Sequence, residues 1–548
     1  MEKKENGDIL RTVQFVLEGL PHRRPGSRWI VASYILEKLV VSAQRAPRGI
    51  DGRLHELIAS QLGVAPEGID YRILNRSIDS RGVPVLVYRL LLFSDAELPL
   101  PPAGPDQTVC QAKAELEFPR KKPLRHPVVV GTGPAGIFGA LALAMAGAEP
   151  VIIDRGFPVE RRKEDLESFL RTRVLDPDSN LLIGEGGAGA FSDGKLYTGT
   201  KDVNRRFIIE EMIEGGAPPE IAYLSRPHVG SDLLPSISAS LRKKIEALGG
   251  TVLFGKEVTD LFDAGGVCRG VRCGSEVIEA PAVLLAPGLG GRHLVRHLAG
   301  KAACRLKPFQ TGCRIEHPQE FIDRRQYHCA RRPEVLGAAE YHLVSRPEAA
   351  GSVSTFCMCP GGHVVNATAW ERHSVSNGMS NYARGGEFAN SCLITTLPPE
   401  CFGSFDEAYA EFDRIEEALF LMGGSDYTLP AQDAAAFLEE RPGLKNRRHA
   451  CETGIVPGRI DQLLRRDVRE ALQAALRCFD RRCPGFCREG KLIGVESCVS
   501  SPLRFERTEK GESLSMRGLF PAGEGVGGAG GILSGAADGI RCAMGLLS

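Results

Sequence analysis

The spacing of hydrophobic and polar positions predicts a chain built from α/β units. Residues 54–63 have apolar positions at helical spacing, and 69–78 and 83–93 are apolar runs with strand-like composition. Proline-rich and partly basic sequence follows at 98–127, as expected of an exposed linker. We therefore predict a small N-terminal α/β domain with its linker over residues 1–122.

The apolar stretch 128–153 carries the strongest local signal. Three valines from Val128 precede Gly131-Thr-Gly133-Pro-Ala-Gly136, and an alanine-rich helix then leads to a second strand. Because turn-forming glycine and proline interrupt the stretch, strand, turn and helix fit it better than a membrane span. Asp154 ends the second strand and follows Gly131 by 23 residues, close to the roughly 20 expected for an acid that binds a ribose hydroxyl.

The three glycines of this motif have separate physical tasks in a dinucleotide site. Gly131 permits the tight turn, Gly133 lets the backbone approach a pyrophosphate, and Gly136 lets the helix pack on the sheet. The helix N-terminus presents free N–H groups and a positive dipole to the phosphates. In this order of strand, helix, second strand and acid, the motif predicts dinucleotide binding rather than a structural glycine loop.

A second glycine-rich loop near the C terminus favours FAD over a nicotinamide nucleotide. Residues 518–531 contain Gly523, Glu524, Gly530 and Gly531, and a helix-like segment begins near Ile532. In an FAD site, Glu524 would accept hydrogen bonds from the ribityl chain, and the helix would direct its positive end at flavin charge. Such a helix favours anionic reduced flavin. We predict that the two distant segments fold together around one FAD.

Composition places these motifs in a folded enzyme. In a chain of 548 residues, 68 basic and 68 acidic side chains cancel, which excludes a disordered tail protein and a polybasic nucleic-acid coat. Sixteen scattered cysteines and a polar N terminus fit reduced cytosolic thiols. We expect a cytoplasmic protein with a small-molecule substrate and without a membrane span, a nucleic-acid partner or a metal site; the sequence names no protein partner.

The two loops, with Asp154-Arg155-Gly156, resemble those of two-dinucleotide-fold flavoproteins of the glutathione-reductase-like class. Four further stretches, 184–195, 354–362, 377–380 and 521–525, resemble the NAD(FAD)-utilising dehydrogenase-like family of bacteria and plastids. That resemblance runs from about residue 50 to the C terminus. It implies FAD and names no substrate.

The resemblance and the tail loop together give the expected cofactor contacts. Val258 would supply a backbone contact to adenine, and Gly186, Gly187 and Ser192 would face the flavin. The full set is Gly131, Gly133, Pro134, Ala135, Gly136, Asp154, Arg155, Gly186, Gly187, Ser192, Val258, Gly288, Gly523, Glu524, Gly530, Gly531 and Ile532.

The fold implied is α/β, with a Rossmann-like FAD-binding domain assembled from two distant segments, 123–300 and 490–548. An inserted α+β substrate or cap domain would occupy 301–489, because ligand sites favour domain interfaces. The chain departs from the family's pattern at Pro287-Gly288-Leu-Gly-Gly and at Gly527-Gly528, where an aromatic residue is common. Neither departure touches the phosphate glycines.

Lys195 and the pair Cys357 and Cys359 are candidates for the substrate or flavin face. Lys195 ends a GxxxxGK pattern, but Leu196 follows it and supplies no hydroxyl for magnesium, so we exclude a phosphate loop. The lysine would steady negative charge near the flavin or lie at the surface. On an extended strand both cysteine sulfurs would point to the same side. Buried packing and a strained redox pair are the two interpretations.

His363, Glu496 and Arg504 complete the candidates. His363 follows a Pro-Gly-Gly turn and would be an acid or base, or a hydrogen-bonded structural residue. Glu496 and Arg504 precede the tail loop and would bind an anionic or carbonyl-bearing substrate, or hold two strands together as an ion pair.

The sequence predicts an FAD-dependent oxidoreductase that transfers hydride between an unidentified small molecule and flavin N5. A second strand, GxGxxG and helix unit is absent, so NAD(P)H would act as a transient donor at the open face of the flavin. Two alternatives stay open. One is a prenyl-chain reductase with a long apolar tunnel in 301–489, and the other is a protein that keeps FAD as a structural ligand and binds RNA or protein without turnover.

Overall fold

The chain was analysed as a computed structural model that describes residues 32–94, 97–103, 114–119, 124–196, 202–346, 351–445 and 447–548. Residues 1–31 of the predicted N-terminal domain and most of its linker lie outside the described residues. The chain divides into two units. The first takes in Met1–Glu115, Ala222–Arg226 and Tyr327–Leu336, and the second takes in the remainder.

In its described residues, the first unit contains an antiparallel sheet in the order β1-β3-β2 and one α-helix. Its elements are β1 (Ala32–Ser42), α1 (His55–Leu62), β2 (Ile69–Asp79) and β3 (Val85–Ser94). Asp51 anchors the unit, because its carboxylate accepts hydrogen bonds from the hydroxyls of Tyr88, at 2.8 Å, and Tyr223, at 3.0 Å. The helix and two strands follow the predicted pattern, whereas β1 was not predicted as a strand.

The second unit contains a five-stranded parallel sheet that joins the two ends of its sequence. Its order is β22-β10-β4-β5-β6, formed by Leu519–Pro521, Val283–Leu285, Val128–Val130, Val151–Ile153 and Thr251–Leu253. The three central strands are short, aliphatic and almost wholly buried, as expected where helices cover both faces of a parallel sheet. Leu519–Pro521 pairs directly with Val283–Leu285, so the tail and the first glycine motif share one sheet.

Helices and a β-ribbon surround this sheet. The ribbon is β7 (Asp260–Ala264), β8 (Val267–Cys273) and β9 (Glu276–Glu279). The helices are α2 (Pro134–Met145), α3 (Val159–Thr172), α4 (Arg205–Glu214), α5 (Leu234–Ala247), α6 (Arg292–Leu298) and, at the C terminus, α13 (Ile532–Leu547). The start of α13 agrees with the predicted position at Ile532.

A seven-stranded mixed sheet runs through the region between 301 and 496. Its order is β13-β14-β17-β12-β20-β18-β19. The strands are β12 (Phe309–Pro318), β13 (Val344–Ser345), β14 (Val353–Cys359), β17 (Phe388–Leu397), β18 (Leu429–Asp433), β19 (Ile455–Pro457) and β20 (Lys491–Glu496). Because Lys491–Glu496 pairs with Phe309–Pro318, this sheet extends past the predicted boundary at 489.

The remaining elements frame the seven-stranded sheet. The strands are β11 (Cys304–Leu306), which pairs with β21 (Leu503–Phe505), and β15 (His363–Asn366), which pairs with β16 (Ser376–Met379). The helices are α7 (Gln319–Tyr327), α8 (Phe405–Met422), α9 (Ala434–Leu438), α10 (Ile460–Leu463), α11 (Arg466–Arg482) and α12 (Phe486–Glu489). Among the described helices, none combines the length and the apolar run that crossing a bilayer requires.

Candidate functional site

The loop between β4 and α2 requires glycine at two positions and leaves space at a third. A Cβ on Gly131 would lie 2.3 Å from the Ala286 carbonyl oxygen, and one on Gly136 would lie 1.9 Å from the Gly131 oxygen. A Cβ on Gly133 would meet no atom of the protein within 4 Å. The first-turn N–H groups of α2 have no partner within the helix. The loop therefore offers donors beside an open cradle at Gly133.

The C-terminal helix α13 begins beside α2. A Cβ on Gly539 would lie 1.9 Å from the Ala135 oxygen, and one on Gly535 would lie 3.8 Å from the Cβ of Pro134. Glycine at these two positions lets the helix backbones come close. Gly139 also meets Gly539, and Gly189 meets both Pro134 and Ile532, the first residues of the two helices. Two helix N-termini thus lie side by side, an arrangement that favours negative charge.

A third segment, 184–192, closes over both helix starts. The Gly186 N–H donates to the Thr132 oxygen at 3.0 Å, and a Cβ on Gly187 would lie 3.3 Å from the Gly133 Cα. A Cβ on Gly189 would lie 3.1 Å from the Pro134 ring and 3.7 Å from the Ile532 side chain. The three segments singled out in the sequence therefore converge at one place.

Buried ions that the sequence analysis missed hold segment 184–192 in position. The Glu185 carboxylate accepts from the Val159 N–H at 2.9 Å and from Arg242 Nε at 2.7 Å. Burial raises the pKa of Glu185. Arg162 is fully buried, and its guanidinium donates to the Asn180 oxygen at 2.6 Å and to the Glu185 oxygen. No local sequence pattern marks these charged residues, because their partners lie in other elements of the fold.

Asp154 lies next to the first glycine motif. Its Oδ2 accepts from the Thr132 N–H at 2.9 Å and from the Thr132 hydroxyl at 2.5 Å, and its Oδ1 accepts from the Gly156 N–H at 2.8 Å. The carboxylate therefore fixes the glycine loop from the end of β5. The predicted bond to a ribose hydroxyl would use the remaining acceptor capacity of these oxygens.

The other predicted cofactor residues lie around the same loops. Arg155 forms an ion pair with Asp178, 2.9 Å from Nε to Oδ1, and Val258 is buried after β6. Gly288 has a φ of 64°, and its carbonyl would contact a Cβ on Gly525 at 2.1 Å. The departure at Pro287-Gly288 therefore brings this loop against the tail loop.

Glu524 packs within the tail loop. Its Oε1 accepts from the Ser501 N–H at 3.1 Å and lies 3.8 Å from Lys307 Nζ, and its Oε2 lies against Gly530. Burial raises the pKa of Glu524. One oxygen predicted to bind the ribityl chain is therefore shared with the backbone of Ser501.

Asp538 fixes the tail loop from inside α13, and sequence reasoning missed it. The carboxylate accepts from the Gly523 N–H at 2.9 Å and from Arg507 Nη2 at 2.7 Å. Burial by itself raises the pKa of Asp538, but its bonds to Arg507 outweigh burial and hold that pKa below its ordinary value.

Asp538→Asn is expected to lower the free energy of unfolding by about 1–3 kcal/mol. The amide keeps the shape and one acceptor but loses the charge that faces Arg507, and hydrogen bonds to charged groups contribute about this much. Urea unfolding followed by circular dichroism measures the change. The control is Glu509→Gln at an exposed acid, expected to stay within about 0.5 kcal/mol. Equal values for the two variants would contradict a stabilising role for Asp538.

Four of the six flavin-face candidates converge on a buried charged cluster centred on Arg314. This side chain is completely buried, and its Nε and Nη2 lie 3.1 and 2.6 Å from the Glu496 Oε2. Its Nη1 donates to Asn390 Oδ1 at 2.8 Å and to the Cys357 oxygen at 3.3 Å. The ion pair predicted for Glu496 exists, but its partner is Arg314.

Lys195, three residues beyond segment 184–192, also belongs to this cluster. Its Nζ lies 3.0 Å from Asp193 Oδ2 and 3.9 Å from Cys359 Sγ. Asp193 is also bound by Arg384, at 2.6 Å from Nη2. Burial alone would raise the pKa of Asp193, but the charges of Lys195 and Arg384 hold it far below its ordinary value. The lysine is therefore a buried cluster member, and the surface interpretation is wrong.

His363 and Arg504 do not share contacts with this cluster. His363 is the first residue of β15, and its Nε2 lies 3.0 Å from Glu452 Oε1. Arg504 is exposed and lies opposite Arg305 on the ribbon of β11 and β21. Arg504 therefore forms no ion pair with Glu496, contrary to that interpretation.

One group of described residues has the spacing of a metal site. His373, Asp413 and Glu416 offer ligand atoms within 4.8 Å of one another. Arg292 Nη2 already lies 2.8 Å from Asp413 and 3.0 Å from Glu416. The guanidinium supplies the positive charge that these carboxylates need, so the group is held together as an ion-pair cluster.

Comparison with known proteins gives the family. A family model described as "FAD-dependent protein, C-terminal domain-like" matches residues 308–499. An uncharacterized protein of Clostridium beijerinckii is 41% identical over 425 residues, which cover 76% of this chain and 80% of the clostridial one. The chain belongs to the same family as this clostridial protein, and its residues 308–499 match the FAD-dependent domain. This FAD-dependent protein is also 30% identical over 208 residues to 6-methylpretetramide 4-monooxygenase of Streptomyces rimosus, covering 35% of the chain and 45% of that enzyme.

Solved structures give more distant similarities. A geranylgeranyl bacteriochlorophyll reductase-like protein of Thermoplasma acidophilum is 12% identical, covers 77% of this FAD-dependent protein and 76% of its own chain, and has a TM-score of 0.31. A 3-ketosteroid-delta4-(5alpha)-dehydrogenase of Rhodococcus jostii is 13% identical with coverages of 78% and 100% and a TM-score of 0.33. Neither similarity identifies a substrate for this FAD-dependent protein.

The converging loops fit FAD in this FAD-dependent protein. A Cβ on Gly288 or Gly531 would, like one on Gly133, meet nothing within 4 Å. Open space next to the backbone of Gly133, Gly288 and Gly531, beside two helix N-termini, can accommodate a long diphosphate ligand.

Proposed function

We propose that this chain is an FAD-dependent oxidoreductase that transfers hydride between flavin N5 and a small molecule bound by the region 301–489. The observation that carries the proposal is the path of segment 184–192 and the four residues that follow it. The glycines of the segment close over the two helix N-termini, and Asp193 and Lys195, which come directly after it, enter the charged cluster around Arg314. One loop would thus connect the cofactor site with polar groups suited to a substrate.

The backbone of the first glycine motif would hold the dinucleotide. Gly131, Gly133 and Gly136 keep the loop tight, while the N–H groups at the start of α2, around Ala135, would donate to phosphate oxygens. Asp154 would keep the loop in this shape through Thr132. FAD, when bound, supplies a two-electron acceptor at N5.

The tail loop and segment 184–192 would bind the flavin end. Gly530, Gly531 and the start of α13 at Ile532 would present backbone donors. On segment 184–192, Gly189 lies against Ile532 and Gly187 against Gly133, and the Ser192 hydroxyl donates to the Gly189 oxygen. The positive end of α13 would stabilise negative charge on the reduced ring. The protein's task would be to position the ring and to set its electrostatic surroundings.

Lys195 and Arg384 would orient a small substrate that carries a carboxylate or a carbonyl. Both cations are fixed by Asp193, so little conformational entropy would be lost when a substrate oxygen approaches them. We further propose NADH or NADPH as a transient electron donor. It would dock at the open face of the flavin, because the described residues contain no second dinucleotide fold that could hold it.

Reductive titration tests the proposal. The purified protein should be yellow, and under anaerobic conditions one nicotinamide should bleach the flavin band faster than the other, with free FAD as the control. Bleaching by dithionite alone would refute the nicotinamide donor and leave hydride transfer standing. A bound flavin that stays oxidised with NADH, NADPH and dithionite would refute the oxidoreductase proposal.

A further inference from the structure

The pair Cys357 and Cys359 lies at an irregular point of β14. The strand pairs with β17 through Phe356 and Cys392 and again through Cys359 and Asn390, and the register shifts between these pairs. Cys357 has a φ of 46°, a left-handed conformation that is strained for a non-glycine residue and clusters at functional sites. The regular extended strand expected for these residues is therefore interrupted by a bulge.

The two cysteines differ in their surroundings. Cys359 is fully buried, its Sγ lies 3.2 Å from the Cys357 carbonyl oxygen, and Lys195 Nζ lies 3.9 Å away. Cys357 is half-buried, and its neighbour Phe356 is 45% exposed. A small reagent would therefore reach Cys357 before Cys359.

Charge favours a thiolate on Cys357. Three cations, Lys195, Arg314 and Arg384, face two carboxylates, Asp193 and Glu496, at hydrogen-bonding distance. Glu340 is a third carboxylate, 3.9 Å from Arg384. Two of the cations contact the cysteine pair directly, since Lys195 Nζ lies 3.9 Å from Cys359 Sγ and Arg314 Nη1 donates to the Cys357 oxygen. A nearby positive charge favours the thiolate.

The pKa values of the two thiols move in opposite directions. The interaction with the Cys359 thiol lowers the pKa of Cys357 most; Lys195 and Arg314 lower it further against the opposing effects of burial and Glu496, to about 6. The interaction with Cys357 and burial together raise the pKa of Cys359 well above its ordinary value. One sulfur is therefore set to attack and the other to stay protonated until later.

We propose that Cys357 and Cys359 form a dithiol site that reduces small-molecule disulfides. The Cys357 thiolate attacks one sulfur of a disulfide R–S–S–R, the S–S bond breaks, and RS⁻ leaves with the electron pair. The Cys359 thiol gives its proton to that RS⁻, and its sulfur then displaces the second RS⁻ from Cys357. The protein dithiol is oxidised to one disulfide, and the small disulfide is reduced to RSH and RS⁻.

Lys195 would act as a positioning residue in this exchange. Its ammonium group, 3.9 Å from Cys359 Sγ, stabilises the second thiolate as it forms. Asp193 holds the ammonium group in place at 3.0 Å. The step needs no flavin, so it stands or falls separately from the hydride transfer proposed above.

Trapping with oxidised glutathione tests the dithiol. After the holoprotein reacts with this probe, peptide mass spectrometry should find a disulfide between Cys357 and Cys359. Cys359→Ser should stop at glutathione on Cys357, and Cys357→Ser should leave Cys359 unmodified. Cys401→Ser, at a partly exposed cysteine outside the cluster, should behave like the unmodified protein. Free thiols at both positions after treatment, or glutathione on Cys359, would overturn the proposal.

Alkylation rates give a second readout that folding defects do not mimic. At pH 7 a thiol with a pKa of about 6 holds roughly thirty times more thiolate than one with an ordinary pKa of about 8.5. Cys357 should therefore react with iodoacetamide well before Cys401, with a midpoint near pH 6. Lys195→Met should move that midpoint upward, and Lys195→Arg should restore it. Equal rates for Cys357 and Cys401 in the unmodified protein would refute the activated thiolate.

Discussion

Gly133→Ala is expected to weaken FAD binding roughly ten- to a hundredfold. Overpacking by one methyl group typically costs about 1–3 kcal/mol, and each 1.4 kcal/mol is a tenfold change in affinity. The added Cβ meets no protein atom within 4 Å, and the backbone there is extended, with φ −65° and ψ 178°. The methyl group would thus enter only the space that the dinucleotide needs. Fluorescence titration of FAD into the FAD-free protein measures the loss.

Substitutions at two other glycines distinguish a loss of FAD affinity from a loss of folding stability. Gly136→Ala would place a Cβ 1.9 Å from the Gly131 oxygen, so it should lower the free energy of unfolding of the FAD-free protein. Gly337→Ala adds a methyl group in open space elsewhere and should change neither property. If Gly133→Ala retains the original affinity, the cradle at Gly133 is not the pyrophosphate site.

Arg314→Met is expected to lower the free energy of unfolding by about 3–5 kcal/mol, the usual cost of removing one partner of a buried ion pair. The substitution leaves the Glu496 carboxylate without its guanidinium, although the bond between them is 2.6 Å long. It also leaves Asn390 Oδ1 without the donor at 2.8 Å. Chemical denaturation gives the value directly.

A double variant distinguishes lost charge compensation from lost packing. Arg314→Met with Glu496→Leu should recover much of the stability, because replacing a whole buried pair by apolar residues is often neutral or better. Arg305→Met, at an exposed arginine, is the control and should stay within about 0.5 kcal/mol. No recovery in the double variant would mean that the surrounding polar groups, rather than the charge pair, dominate the loss.

The sequence predicted those parts of the fold that local rules determine. The strand at Val128–Val130, its glycine turn and the helix from Pro134 follow from steric needs within a few residues. The strand at Ala32–Ser42 was missed because its apolar run is interrupted by Glu37 and Lys38. Its identity as a strand depends on pairing with Val85–Ser94, which no local pattern encodes.

The candidate site likewise contains residues that the sequence could predict and residues that it could not. Glycine loops could be located from spacing, whereas Arg314, Asp193 and Arg384 could not, because each is defined by a partner distant in sequence. The CxC pattern was visible, but its bulge at Cys357 depends on the register between β14 and β17. Arg504 was assigned to Glu496 by proximity in sequence, and the strand pairing places it opposite Arg305 instead.

The parallel sheet has a consequence for biosynthesis. Its outer strand, Leu519–Pro521, is synthesised long after Val283–Leu285, yet the two strands pair beside the first βα turn. Closing so long a loop delays nucleation, so the parallel sheet of a nascent chain stays incomplete until the tail strand has been synthesised. Cofactor loading should therefore follow the synthesis of that strand, and chaperone dependence should be greatest before the sheet closes.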